Sequence, residues 1–244
     1  AYAPKNPSDP KTWTAAYSRN KGLEMISQKR KDDPAFGAHV LVSDDDAVVQ
    51  GIAPLLQTLN SGATKVGAVA PLNRATDNVV LKGNELIKEL AAGHHAPPEK
   101  PNVRPFPGIM NLEGKIDFCL LTAFGGTRVP KTCALMIDGF AVQSIQNSKG
   151  ELFVVFPEGS FEDMILSGAL ERRGYRLVEC QDAEVHDQVR VDPRARSIQQ
   201  FRWAYDHAVA YHEFIMIGRR EKQELVFDGI SVLTPTHGEW TLRN

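Results

Sequence analysis

The feature that most constrains this chain is the run His39-Val-Leu-Val-Ser43, which leads straight into Asp44-Asp45-Asp46. A stretch of strand character ends in three adjacent carboxylates, and Ala47-Val48-Val49 follow at once. Neighbouring acids repel one another unless a cation sits among them. Held at the end of a buried strand they form a fixed, oxygen-rich, anionic site. Such a site suits a hard divalent cation, Mg²⁺ or Mn²⁺, whose open positions take phosphate oxygens. The same acids also suit the start of a helix, where the dipole favours negative charge. On this stretch alone both readings stand.

A chain of 244 residues that is 42% hydrophobic can bury a sizeable core, and we expect a single domain. A net charge of −2 argues against a nucleic-acid partner. The cysteines, Cys119, Cys133 and Cys180, are odd in number and widely spaced. They read as reduced core residues of a cytoplasmic protein rather than as a disulfide frame or a zinc site. No apolar run approaches the roughly 20 residues that cross a bilayer, and the first residues lack a signal-peptide pattern. The expectation is a cytoplasmic chain without a transmembrane segment, with peripheral membrane contact left open.

Residues 1–11 carry Pro4, Pro7 and Pro10 and read as loop. Thr12–Lys31 is compatible with a helix, ended by Asp32-Asp33-Pro34 because the residue before proline avoids helical geometry. Ala38–Ser43 is a strand. Val48–Leu59 has amphipathic helical spacing despite Pro54, and Lys65–Ala70 is a short buried strand. Strand, helix, strand implies a βαβ unit and a parallel sheet covered by helices. Val79–Ala92 reads as a helix. His94-His95 in a polar loop read as solvated, and the proline-rich stretch after them is loop. Lys115–Thr122 reads as a strand running into Gly125-Gly126, which allow either close backbone approach to a ligand or a tight turn.

A second acid pair, Glu162-Asp163, opens a helix over Met164–Arg173, and Ser160 can cap it. Helix-dipole stabilisation explains these acids without any function. Arg176–Cys180 is a strand, Arg194–Arg220 a long helix, and Gly229–Thr234 a strand that breaks at Pro235.

In order and spacing, five pieces resemble an inverting glycosyltransferase of family 2. They are Ser18-Arg-Asn-Lys-Gly22; Leu41-Val-Ser-Asp-Asp-Asp46; Gly125-Gly126 with Arg128; Phe161-Glu-Asp163 with Glu171-Arg-Arg-Gly-Tyr175; and Gln199-x-x-Arg202-Trp203. The resemblance covers roughly residues 12 to 210 and implies an α/β, Rossmann-like GT-A fold, a mostly parallel or mixed sheet flanked by helices. It implies a UDP-sugar or other nucleotide-diphosphate sugar as donor, a carbohydrate or glycoconjugate acceptor, and Mn²⁺ or Mg²⁺ as cofactor. By the resemblance, Asp44 and Asp46 with His186 hold the metal, and Asp44, Asp45 and Arg19 lie near the nucleotide. Gly125, Gly126 and Arg128 border the sugar and acceptor groove. Gln199, Arg202 and Trp203 match a motif of processive polysaccharide synthases. Asp163 is the base, with Glu162 beside it on the acceptor. Inverting transfer needs a carboxylate to take the hydroxyl proton and a counter-charge for the departing diphosphate.

The family's opening strand and nucleotide-base units are not found ahead of Asp44. Ile230-Ser-Val-Leu-Thr-Pro-Thr-His237 resembles that first strand at the other end of the chain, placing Thr234, Pro235 and Thr236 near the nucleotide. An incomplete or rearranged nucleotide half, a circular permutation being one form, is the expectation, with Gly229–Thr234 in the same sheet as Ala38–Ser43. Two rival classes are a catalytically silent binding domain of that fold and a metal-dependent nucleotidase or phosphatase. The second would want Asn and Gly around its paired acids, where this chain has Ser43 and Ala47.

Overall fold

The structure is a computed structural model. It describes residues 8, 14–34, 36, 38–61, 65–92, 98–108, 129–146, 150–153, 162–188, 192–211, 232–236 and 239–243. The expected strand over 115–122, the histidines at 94 and 95 and the helix beyond 211 lie outside them.

Helix α1 (Ala15–Asp32) begins where Thr14 Oγ1 accepts from the Tyr17 amide at 3.2 Å. It ends with Lys29, Arg30 and Lys31 against the negative end of its dipole. Strand β1 (His39–Ser43) buries Val40 and Val42 on one face, as alternation requires. The three acids then turn the chain into strand β2 (Ala47–Gln50), where the sequence pattern predicts helix. The β-branched Val48-Val49 pair goes to a strand because β6 offers it a partner, which periodicity cannot register.

Gly51 makes the corner into helix α2 (Ile52–Asn60) with φ of 84°. A Cβ there would lie 2.8 Å from the Asp182 carbonyl oxygen and 2.9 Å from the Ala183 Cα. Backbone strain and backbone collision add, so Gly51→Ala should lower stability by about 1–3 kcal/mol. An unchanged urea midpoint would show instead that the corner relaxes freely. Pro54 is harmless in the first turn of α2, where its missing N–H has no helical partner to lose.

Strand β3 (Val66–Thr76), helix α3 (Val79–Ala91), strand β4 (Val103–Pro105), strand β5 (Ala134–Asp138) and helix α4 (Gly139–Ile145) follow. Then come helix α5 (Glu162–Arg172), strand β6 (Arg176–Gln188) and helix α6 (Pro193–Tyr211). Six strands form one sheet in the order β1-β5-β3-β6-β2, with β4 also on β6. Helix α2 packs on β3 and β6, and α5 packs on β6. The core gathers Val40, Val42, Ala68, Leu135, Ile137, Leu166 and Leu170. No described helix is long and apolar enough to cross a membrane.

The protein is thus mixed α/β with a mixed sheet flanked by helices. The expected predominance of parallel pairing is corrected: β3 and β6 run parallel, and the remaining pairs are antiparallel. β1 and β3 do point the same way, but β5 lies between them, antiparallel to both. Ala134–Ile137 goes without an element in the periodicity reading, since so short an apolar run suits helix and strand alike. It is nevertheless among the most buried strands, with Leu135 and Ile137 both fully covered.

The connection from β1 to β2 shapes the sheet. Flat, the two edge strands would stand four inter-strand spacings apart, about 19 Å. The chain from Ser43 to Ala47 reaches at most about 14 Å. The sheet must therefore fold back on itself, nearly into a barrel. β3 and β6 accommodate this where their register jumps, from Pro71 opposite Cys180 to Leu72 opposite Glu184. Asp44, Asp45 and Asp46 lie where its two edges approach each other.

Strand β7 (Val232–Thr236) pairs antiparallel with strand β8 (Glu239–Arg243) in a two-stranded sheet of its own. This corrects the expectation that Gly229–Thr234 joins the sheet of Ala38–Ser43. Pairing across two intervening residues costs little loop-closure entropy, whereas joining β1 would close a loop of about three quarters of the chain.

Candidate functional site

The acid turn is held by backbone. Ser43 lies opposite Ala134 on one side and Ala47 opposite Asp187 on the other. Within the turn, the Asp44 amide donates to the Cys133 carbonyl at 2.9 Å. Asp45 and Asp46 face solvent, while Asp44 is half-buried.

Asp44 meets a cation from the preceding helix. Arg19 on α1 has a side chain only 8% exposed and ion-pairs with both Asp44 and Glu162. One guanidinium nitrogen, Nη1, donates to Glu162 Oε1 at 2.8 Å and to Thr132 Oγ1 at 2.9 Å. The other, Nη2, donates to Asp44 and, at 3.0 Å, to the Thr132 carbonyl. The Thr132 hydroxyl in turn donates to Glu162 Oε1 at 3.2 Å. The guanidinium plane also lies over Phe153, 5.5 Å from the ring centre. Next to Arg19, Asn20 accepts from the Leu152 and Phe153 amides and donates to the Phe153 carbonyl, fixing α1 against that segment. Two acid clusters far apart in sequence are thereby bound to a single buried cation.

Asp163 stands at the start of α5, and its Oδ1 accepts from the Met164 amide at 2.8 Å. Burial, and then the charge of Glu162 beside it, raise its carboxyl from the usual 3.8 to about 7, against the opposing pull of that amide and of Arg19. Burial also raises the carboxyl of Asp44, more than Arg19 lowers it, with Asp46 and Asp45 adding to the rise. Asp187 is raised by burial and then by Asp46 and Asp44, with Lys131 opposing. The thiol of Cys133, buried beside Asp187 and Asp44, is pushed up to about 11 and is no nucleophile at neutral pH.

His186 lies elsewhere. Successive residues of a strand face opposite ways, so His186 points away from the side that Asp187 shares with the acids. It sits by Glu184, 3.3 Å from its carboxylate, with Lys82 and Arg74 near. Burial first, then these two cations, lower its pKa. Asp187, rather than His186, is the β6 residue that shares the field of Asp44 and Asp46.

Among the described residues no three His, Cys, Asp or Glu side chains are gathered closely enough to hold a metal ion. The donor chemistry nevertheless fits a hard divalent cation. After burial, the charge of Asp46 adds to the rise at both Asp44 and Asp187, and a cation among these carboxylates relieves such repulsion.

The other expected site residues are dispersed. Gly125, Gly126 and Arg128 lie outside the described residues. Gln199, Arg202 and Trp203 are on α6, where Arg202 and Trp203 are exposed and Gln199 is half-buried. Thr234, Pro235 and Thr236 are in β7, away from the six-stranded sheet's pairing. Sequence reasoning missed Thr132, for which no local signal exists, and Asp187, whose place beside His186 was the one available clue.

Fold and site together define a mixed α/β protein with two carboxylate clusters joined through a buried arginine. No family model matches the chain, and no curated protein sequence matches it.

Proposed function

We propose that the protein is a metal-dependent inverting glycosyltransferase, of hexosyltransferase type. It moves a sugar from a nucleotide-diphosphate sugar, a UDP-sugar foremost, to a hydroxyl of a carbohydrate or glycoconjugate. The observation that carries the reading is the convergence of Asp44 and of Glu162, the neighbour of Asp163, on Arg19. The two carboxylate groups that the chemistry requires, one for a cation and one for a proton, are thereby held in one neighbourhood with separate environments.

In this reading Asp163, ionised, takes the proton of the acceptor hydroxyl. The hydroxyl oxygen forms its bond to the anomeric carbon as the bond to the diphosphate breaks, and the electron pair leaves with the diphosphate. A carboxyl titrating near 7 is matched to this task at neutral pH. Glu162 Oε1 is occupied by Arg19 and Thr132, so this oxygen of Glu162 orients rather than reacts. Asp46 and Asp44 would hold a divalent cation, with Asp187 adding its charge from beside them, and the cation would neutralise charge on the diphosphate.

Incubation with UDP-sugars and Mn²⁺, set beside p-nitrophenyl phosphate, tests the reading. Sugar transfer or UDP release supports it. Turnover of p-nitrophenyl phosphate alone would select a phosphatase, and binding of UDP without turnover a silent domain. The cation site has its own check by calorimetry. Asp46→Ala should abolish Mn²⁺-dependent UDP binding, and unchanged binding would refute the site. Asp187→Asn should weaken Mn²⁺ roughly tenfold or more, and His186→Ala should weaken it less.

A further inference from the structure

We propose that Thr132 is a positioning residue: together with Arg19 it latches the start of α5, which carries Glu162 and Asp163, onto the Asp44–Asp46 turn. The inference deepens the transferase reading and rests on it for the kinetic part of its test.

Thr132 is 5% exposed and uses both its hydroxyl and its carbonyl in the network. Its hydroxyl accepts from Arg19 Nη1 at 2.9 Å. The hydroxyl's own hydrogen is then free to point at Glu162 Oε1, 3.2 Å away. Its carbonyl accepts from Arg19 Nη2 at 3.0 Å, so the guanidinium is gripped at both nitrogens by one residue. The next carbonyl, that of Cys133, accepts from the Asp44 amide at 2.9 Å. Two consecutive residues ahead of β5 thus hold the acid turn by backbone and the α5 carboxylate by side chain. Arg19 alone would satisfy Glu162 through one nitrogen, leaving that carboxylate free to swing about the contact. With the hydroxyl in place its oxygen has two donors from different directions, and its orientation is set.

Asp163 follows Glu162 directly, so the placement of one governs the other. The charged groups that bear on Asp163 among the described residues are Glu162 from its own helix and Arg19 from α1. Arg19 is itself shared with Asp44 from the acid turn. The latch therefore sets both where Asp163 points and how much of the charge of Glu162 it feels. Placement of a reacting group is worth large factors in rate even when binding is untouched.

The test compares the full chain with Thr132→Val, which has the same shape without the hydroxyl, and Thr132→Ser, which keeps the hydroxyl without the methyl. Two readouts are used: UDP-glucose turnover with Mn²⁺, and titration of the Asp163 carboxyl by carbon-13 NMR, assigned with Asp163→Asn. Thr132→Val should lower turnover by about tenfold to a hundredfold with the donor KM unchanged. It should also move the Asp163 midpoint, and the acid limb of the rate profile, to higher pH, because Glu162 loses a neutralising donor. Thr132→Ser should return both towards the wild-type values. Wild-type behaviour of Thr132→Val in both readouts overturns the proposal. So does a Thr132→Ser variant that behaves as Thr132→Val, since the methyl and not the hydroxyl would then matter. Should the unmodified chain turn over no nucleotide sugar, the transferase reading falls. The titrations of the three proteins then decide the latch by themselves.

Discussion

Asp163→Asn is expected to lower sugar transfer by roughly two to four orders of magnitude while donor and cation affinity survive. Asparagine keeps the shape and can still accept from the Met164 amide through its carbonyl oxygen, so the helix start is preserved. What it loses is the basic oxygen. Were Asp163 only a helix cap, asparagine would serve nearly as well, and near-normal transfer would decide for that view. The pH profile offers an independent check. A base acts when ionised, and the Asp163 carboxyl titrates at about 7, so the rate should fall as pH drops through about 7.

The same carboxyl carries a stability signature of opposite sense from an ordinary salt-bridged acid. Its folded pKa is raised from 3.8 to about 7, so between these values the folded state binds more protons than the unfolded one. Stability then declines as pH rises through this window and levels off above it. Asp163→Asn removes the ionised form and its penalty. The variant should therefore be more stable than the parent at pH 8, by an amount on the order of a few kcal/mol. The difference should shrink as pH falls through the window. A variant that is less active and more stable is what a retained, strained functional group predicts. Equal urea midpoints at pH 8 would show that Asp163 is not held in a desolvated place.

Replacing Arg19 should have the largest effect on folding. Arg19→Met keeps length and apolar packing against Phe153 but leaves Glu162, which is 7% exposed, without its cation. Removing one partner of a buried pair costs about 3–5 kcal/mol. Most of this falls on Glu162, since Asp44, with a side chain 32% exposed, can turn to water. Arg19→Lys should recover only part of the loss, because a single ammonium cannot reach Asp44, Glu162 and both oxygens of Thr132 as the planar fork does. In urea unfolding at pH 7, Arg19→Met combined with Glu162→Gln should be less destabilised than the sum of the single changes. Simple additivity would mean that the pair contributes nothing of its own.

Much of the framework was legible in the residue order. Val40 and Val42 alternate inward and end at three acids, and the turn is where that pattern places it. The amphipathic runs behind α2 and α3 and the helix-compatible run behind α1 are equally local signals, and they became helices within a few residues of the expected bounds. The misses share one cause. Ala47–Gln50, Ala134–Asp138 and the second half of β6 became strands because distant segments offered them edges. The last strands failed to join the main sheet for the converse reason: a nearer partner was at hand.

The same division runs through the site. Residue order was enough to place Asp44–Asp46 at the end of a strand, Glu162 and Asp163 at the start of a helix, and Arg19 on another helix. Strand alternation and helix capping depend only on neighbours a few residues away. Long-range packing put Arg19 between Asp44 and Glu162, braced it with Thr132, and brought Asp187 rather than His186 into the field of the acids. Those choices follow from which charges must be buried together once the sheet folds back on itself. The desolvation cost of a buried charge depends on partners brought in from anywhere along the chain.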